Sequence, residues 1–144
     1  MPPRLFLGLL ALSVGLALGL PTPGIDPAPW RYLLGAALVV CGIVLNLWSD
    51  QQLKRAQTTI KPYDEPTTLV TGGAFRLTRN PMYLGMALIL AGAAVGLGGL
   101  VALVCPLLFA VLVDRWFIRT EEGNAEAVFG EQYVAYRRQV RRWL

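Results

Sequence analysis

The sequence predicts an all-α, multi-pass membrane protein with about four transmembrane helices and an amphipathic C-terminal helix. Three observations carry that prediction. Apolar residues make up 55% of the 144 and charged residues only 15%, a balance that a soluble domain of this size could not hide from water. The apolar residues gather into long runs rather than alternating with polar ones. The basic residues, in turn, fall almost wholly on one side of those runs. A chain this long has room for one domain, residues 1–144.

The first run, residues 5–20, follows Arg4 and is closed by Pro21, Pro23 and Gly24. A signal peptide has the same outline, but no A-x-A pattern follows, so the run reads as a short first membrane helix. Residues 30–48 form the second span, with Trp30 and Tyr32 at one end and Trp48 at the other, where aromatic rings rest at the two interfaces. No charged residue occurs between positions 82 and 113. One helix of that length would measure about 48 Å against an apolar core of about 30 Å. Two spans are therefore expected, 81–97 and 100–117, broken at Gly96, Gly98 and Gly99, with Pro106 kinking the second.

Four spans put both termini on one side. All basic residues except Arg31 then fall on that side, so the loop before the third span and the tail are expected to be cytoplasmic. Glycines recur along three spans (Gly8, Gly15, Gly19; Gly35, Gly42; Gly85, Gly92, Gly96), with Asn46 continuing the second row, and read as a close-packing stripe. The tail, 119–144, places Phe129, Tyr133, Tyr136, Val140 and Trp143 on one helical face, interrupted near Gly130. It reads as a helix lying on the membrane surface, its arginines suited to anionic headgroups.

Composition also excludes chemistry. The chain has no histidine, which removes Ser-His-Asp and Cys-His catalysis and HExxH zinc sites. No P-loop is present, and Gly96-x-Gly98 ends an apolar run rather than a strand. Cys41 and Cys105 lie in apolar runs without metal-ligand spacing, so no metal is expected. The first three spans carry no ionisable residue in their apolar interior, which disfavours an ion-coupled transporter.

Chemistry is therefore expected at the cytoplasmic mouth. The loop 57–80 is long for a passive connection, and Pro62, Pro66, Gly72 and Gly73 preclude a continuous helix. Residues 67–71 and 74–78, around Gly72 and Gly73, suggest a small hairpin. Asn80 and Pro81 read as an N-cap followed by proline at the first helical position. Such a helix end suits an anion such as a carboxylate. Glu121 and Glu122 offer the opposite charge, either to a ligand ammonium or to the basic tail.

The ordered set Leu69-Val70-Thr71, Gly73, Phe75-Arg76, Arg79-Asn80-Pro81-Met82-Tyr83-Leu84-Gly85, Glu121-Glu122, Phe129-Gly130, Tyr133 and Tyr136 resembles the integral-membrane methyltransferases that include isoprenylcysteine carboxyl methyltransferases and phospholipid N-methyltransferases. The resemblance covers roughly the C-terminal half. It implies S-adenosylmethionine at the cytoplasmic face and a lipophilic small-molecule or lipidated substrate arriving from the lipid bilayer, with no nucleic acid involved. It further implies that Thr67, Thr68, Leu69, Val70, Phe75, Asn80, Pro81, Met82 and Tyr83 line the cofactor site, and that Glu121 holds the cofactor's ammonium.

Two positions depart from the family pattern. Asn80 stands where the prenylcysteine enzymes have histidine, and Phe117 stands where they carry a substrate-facing arginine. Arg119, or Arg115, is left to take that arginine's place, and Arg119 and Glu122 are the expected catalytic residues. An acceptor carboxylate would need no general base, whereas an amine must first lose a proton. A chain without histidine leans toward the anionic acceptor, with the amine still open. The competing expectation is a non-enzymatic interaction protein that binds anionic lipid or a partner through its basic tail.

Overall fold

The computed structural model describes residues 2–19, 29–57 and 67–144. The described residues form helices α1 (Pro2–Gly19), α2 (Pro29–Arg55), α3 (Pro81–Leu97), α4 (Val104–Val113), α5 (Arg119–Phe129) and α6 (Glu131–Gln139), with no strand among them. A 3₁₀ turn at Val101–Leu103 leads into α4, and a π-helical turn at Asp114–Ile118 joins α4 to α5, so helical backbone is continuous from Val101 to Phe129. That rod, α1 and α2 are each long and apolar enough to cross a membrane. Helix α3, at 17 residues, is apolar and slightly shorter. Large apolar residues lie on the outside of these helices, Leu33 and Leu107 at 73% and 69% exposed. A surface of that kind requires lipid as its solvent.

Helices α2 and α3 run antiparallel with their backbones in contact. A Cβ on Gly35 would sit 2.8 Å from the Gly92 carbonyl oxygen, and one on Gly42 would sit 2.5 Å from the Gly85 carbonyl oxygen. No side chain other than hydrogen fits at those crossings. Gly8, Gly15 and Gly19 of α1 meet nothing within 4 Å among the described residues, so the expected stripe holds for two helices and not for the first. Instead α1 packs through larger groups. Phe6 meets Phe109 edge-on with ring centroids 6.2 Å apart, and Leu9 joins Leu90, Cys105, Phe109, Val113 and Ile118 in the core.

These pairings gather the start of α1, the end of α2, the start of α3 and the end of α4 at one end of the bundle. Arg31 packs against Gly98 at the other.

Several boundaries differ from the expectation. Helix α2 continues seven residues past Trp48 to Arg55, steadied on its surface by a 2.6 Å ion pair between Lys54 and Asp50. Pro106 sits in the first turn of α4, just after the 3₁₀ turn Val101–Leu103. The proposed hairpin is absent: residues 73–76 form a 3₁₀ turn instead. Gly73 holds φ +55° with the Gln52 side chain pressed against it, and Gln52 Oε1 accepts the Ala74 N–H at 3.0 Å. Only glycine combines that backbone with that contact. Leu20, the linker 21–28 and residues 58–66 of the expected cofactor loop lie outside the described residues.

The tail is not one separate helix but two, α5 and α6. Its first part, α5, extends the last membrane helix, and Gly130, at φ +53°, turns the chain into α6. Tyr133 and Tyr136, expected to face lipid, are buried within the protein. The Tyr136 hydroxyl donates to the Phe75 carbonyl at 2.6 Å, so an aromatic face that looked amphipathic finds its partner in the chain's own loop.

Candidate active site

From Phe109 onward the buried positions of the last membrane helix are Phe109, Val113, Ile118 and Glu122. Their spacing is four, five and four, and the five-residue step coincides with the π turn. One extra residue in that turn shifts the helix face, and Glu122 is thereby delivered to the interior line that the aliphatic residues follow. Glu121, its neighbour, is half-buried and meets a different partner.

Glu122 is surrounded by guanidinium groups. Arg79 donates to Oε1 from Nε at 3.1 Å and from Nη2 at 2.7 Å, while Arg142 donates to Oε1 from Nε at 3.2 Å and to Oε2 from Nη2 at 2.5 Å. The Arg79 and Glu122 side chains are only 9% and 10% exposed, so this is a buried ion pair whose partners depend on each other. Arg142 also reaches Asp114 at 3.3 Å, and the Trp143 indole N–H donates to the same Asp114 oxygen at 3.3 Å. The hydrogen bonds to Glu122, opposed in part by burial, push the Arg142 guanidinium pKa up.

Glu121 Oε1 accepts a 2.6 Å hydrogen bond from the Tyr83 hydroxyl. It has no cation partner among the described residues. Burial pushes its carboxyl above the ordinary value, the Tyr83 hydrogen bond pulls it down, and the Glu122 charge adds a further push upward. Glu121 lies beyond the uncharged stretch that ends at Val113, at the polar end of the bundle.

The chain on the α3 side is held from three directions. Gln52 of α2 fixes the turn at Ala74, Tyr136 of α6 fixes Phe75, and the C-terminal backbone runs alongside residues 78–80. Arg79 N–H donates to the Arg141 carbonyl at 2.9 Å, and the Thr78 hydroxyl and the Asn80 side-chain amide donate to the Arg142 carbonyl at 2.9 and 3.0 Å. Asn80 occupies the N-cap position with Pro81 following, as expected, but its side chain does not cap α3. It is committed to Arg142 instead.

The structure thus brings Asn80, Pro81, Met82, Tyr83, Glu121 and Glu122 together at one end of the bundle. Phe75 adjoins them through its turn. Thr67 and Thr68 are exposed, and Leu69 and Val70 half-buried, in a stretch without regular structure. The Thr67 hydroxyl donates to the Gln57 carbonyl at 3.2 Å. Arg119 is 60% exposed and approaches Asp114 at 4.0 Å, making no hydrogen bond to either glutamate among the described residues. Arg115 is exposed, and Phe117 packs against the core.

Sequence reasoning gave Thr78 and Arg79 no role of their own, placed Asp114 only in the general cluster at the mouth, and counted Arg142 only among the tail arginines suited to anionic headgroups. Arg79 lay in plain view within the motif, and a carboxylate pair near the mouth implied a cationic partner. Which of the clustered arginines would supply it depended on the π turn and on the return of the tail.

Residues 30–132 match the model of the phospholipid methyltransferase family. Protein-S-isoprenylcysteine O-methyltransferase A of Arabidopsis thaliana is 32% identical over 119 residues, covering 79% of this chain and 59% of the plant protein. Protein-S-isoprenylcysteine O-methyltransferase B of the same plant is 29% identical over 123 residues, covering 82% and 61%. The chain therefore spans about three fifths of the length of these two relatives. An uncharacterized Haemophilus influenzae protein is 36% identical over 63 residues, 44% of this chain and all of that protein. No solved structure matches. With the family model covering most of its length, and a polar end built from the expected motif residues, the chain belongs to the phospholipid methyltransferase family of membrane proteins.

Proposed function

We propose that the chain transfers a methyl group from S-adenosylmethionine to a lipophilic acceptor that reaches the polar end of the bundle from the bilayer. The acceptor is a prenylcysteine-like carboxylate or a phospholipid headgroup amine. Family membership supports the reaction class, and the observation that carries the reading to named residues is the environment of Glu121. It is a half-buried carboxylate, raised by burial and anchored by a phenol rather than a cation. A ligand ammonium supplies the charge that this site lacks.

The residues present fit the donor. Glu121 receives its ammonium, with Tyr83 fixing the carboxylate's orientation. The start of α3, which the Asn80 side chain leaves uncapped, suits its carboxylate through the partial positive charge of a helix N-terminus. Residues 67–70, Phe75 and Met82 supply the remaining wall. S-adenosylmethionine brings an electrophilic methyl on a sulfonium, so the chemistry asked of the protein is alignment and exclusion of water. No histidine is required for that task. The exposed Arg119 is available to an anionic acceptor or headgroup, and the positive-inside pattern supports a cytoplasmic location for this end.

The tail-binding alternative loses ground because its cations are partly consumed within the chain. Arg142 pairs with Glu122 and Asp114, and Arg137 with Glu126 at 2.8 Å. To test the proposed reaction, membranes with and without the protein are given methyl-labelled donor and the lipid products identified by mass. We expect a labelled carboxyl ester or N-methylated headgroup only when the protein is present. Labelling that does not depend on the protein would contradict the reading.

A further inference from the structure

We infer that Glu122, Arg79 and Arg142 are positioning residues that clasp the C-terminal segment 140–143 against the start of α3 and thereby shape the donor site. The inference rests on the proposed function and assigns Glu122 a place outside the reacting groups. Its two carboxylate oxygens already accept four guanidinium N–H bonds from two arginines, which leaves little capacity for a ligand.

Each arginine ties a different piece of chain to that carboxylate. Arg79 belongs to the segment entering α3, and its Nη1 also donates to the carbonyls of Arg137 and Val140 at 3.1 and 3.0 Å. Arg142 belongs to the returning tail. Around this ionic centre the two segments are joined directly: Arg79 N–H donates to the Arg141 carbonyl, and the Thr78 hydroxyl and the Asn80 side-chain amide donate to the Arg142 carbonyl. Trp143 closes the far side on Asp114.

Asn80 is the link to the donor site. Its side chain is turned onto the Arg142 carbonyl, and it immediately precedes Pro81, Met82 and Tyr83, the last of which carries the hydrogen bond to Glu121. Glu121 and Glu122 are consecutive, so the clasp and the ammonium site share one turn of helix. Releasing the tail therefore frees Asn80 and loosens the frame on which Tyr83 and Glu121 meet. By linkage, a ligand that needs the closed arrangement must in turn hold the tail closed.

The test uses the full-length protein in nanodiscs, with S-adenosylhomocysteine as the probe. Hydrogen exchange at 140–144 and calorimetric affinity are measured for wild type, Arg142→Gln, Glu122→Gln, the double variant and the milder Arg142→Lys. We expect the probe to slow exchange at 140–144 in wild type. Each single Gln variant should bind it roughly tenfold or more weakly, as misplacement of a site's frame does. The double variant should lose little beyond either single, and Arg142→Lys should recover part of the affinity. Folded variants with wild-type affinity, or single losses that simply add, overturn the clasp. A wild-type protein that binds no probe overturns the proposed function itself.

Discussion

Glu121 and Glu122 are adjacent in sequence and sit in opposite surroundings. Glu122 is buried in a ring of guanidinium donors, with its charge balanced by the chain itself. Glu121 is less buried, accepts a hydrogen bond from one phenol, and has no cation partner among the described residues. The difference shows that adjacent carboxylates can take opposite tasks: a saturated one holds the fold, and one without a cation partner is costly to ionise in place, which is the property the proposed function uses. A one-residue shift in the π turn decides which glutamate takes which place.

Substitution should expose the contrast most strongly at Glu122. Glu122→Ala leaves Arg79 buried without its counterion, and thermal unfolding in detergent should show a loss of about 3–5 kcal/mol. The glycine crossing farther from the clasp, Gly35 on Gly92, provides a reference in the same assay. Gly35→Val forces side-chain atoms against the Gly92 backbone and should cost about 1–3 kcal/mol, without altering the relative behaviour of the two glutamates. Tyr83→Phe removes the phenol that orients Glu121. We expect about 1 kcal/mol of lost probe affinity by calorimetry and nearly unchanged unfolding.

Glu121→Gln should have the smallest effect on stability, with a sign that depends on pH. Burial raises the folded carboxyl above its unfolded value, so the folded protein favours the neutral form. The stability from that preference is complete below the unfolded carboxylate range and is lost as pH rises through the raised folded value. At neutral pH the Gln variant should therefore unfold no earlier than wild type. Ligand binding follows the reverse course, since an ammonium needs the ionised carboxylate. Wild-type affinity should fall as pH drops through the raised Glu121 value, and a flat acid limb would count against an ammonium partner there.

Much of the fold was legible because its signals are local. Apolar runs, interfacial tryptophans and paired glycines at Gly35, Gly42, Gly85 and Gly92 all act through neighbours on one helix or the next. The clustering of the motif residues Asn80, Tyr83 and Glu121 at one end was legible as well. The errors arose where long-range partners override local pattern. The face of Tyr133 and Tyr136 has the periodicity of a lipid-facing helix, and only the Phe75 carbonyl shows otherwise. Asn80 has the chemistry of a cap, yet its amide is spent on Arg142. The π turn left no sequence mark, although the spacing of Phe109, Val113, Ile118 and Glu122 depends on it.

The central claim is that Glu121 is the charge partner of the methyl donor. Calorimetric titration of the purified protein in nanodiscs with S-adenosylhomocysteine, wild type beside Glu121→Gln at neutral pH, tests it most directly. We expect saturable binding by wild type and a loss of about 1.5–3 kcal/mol, ten- to a hundredfold or more, in the variant. Equal affinity in the two proteins would contradict the claim.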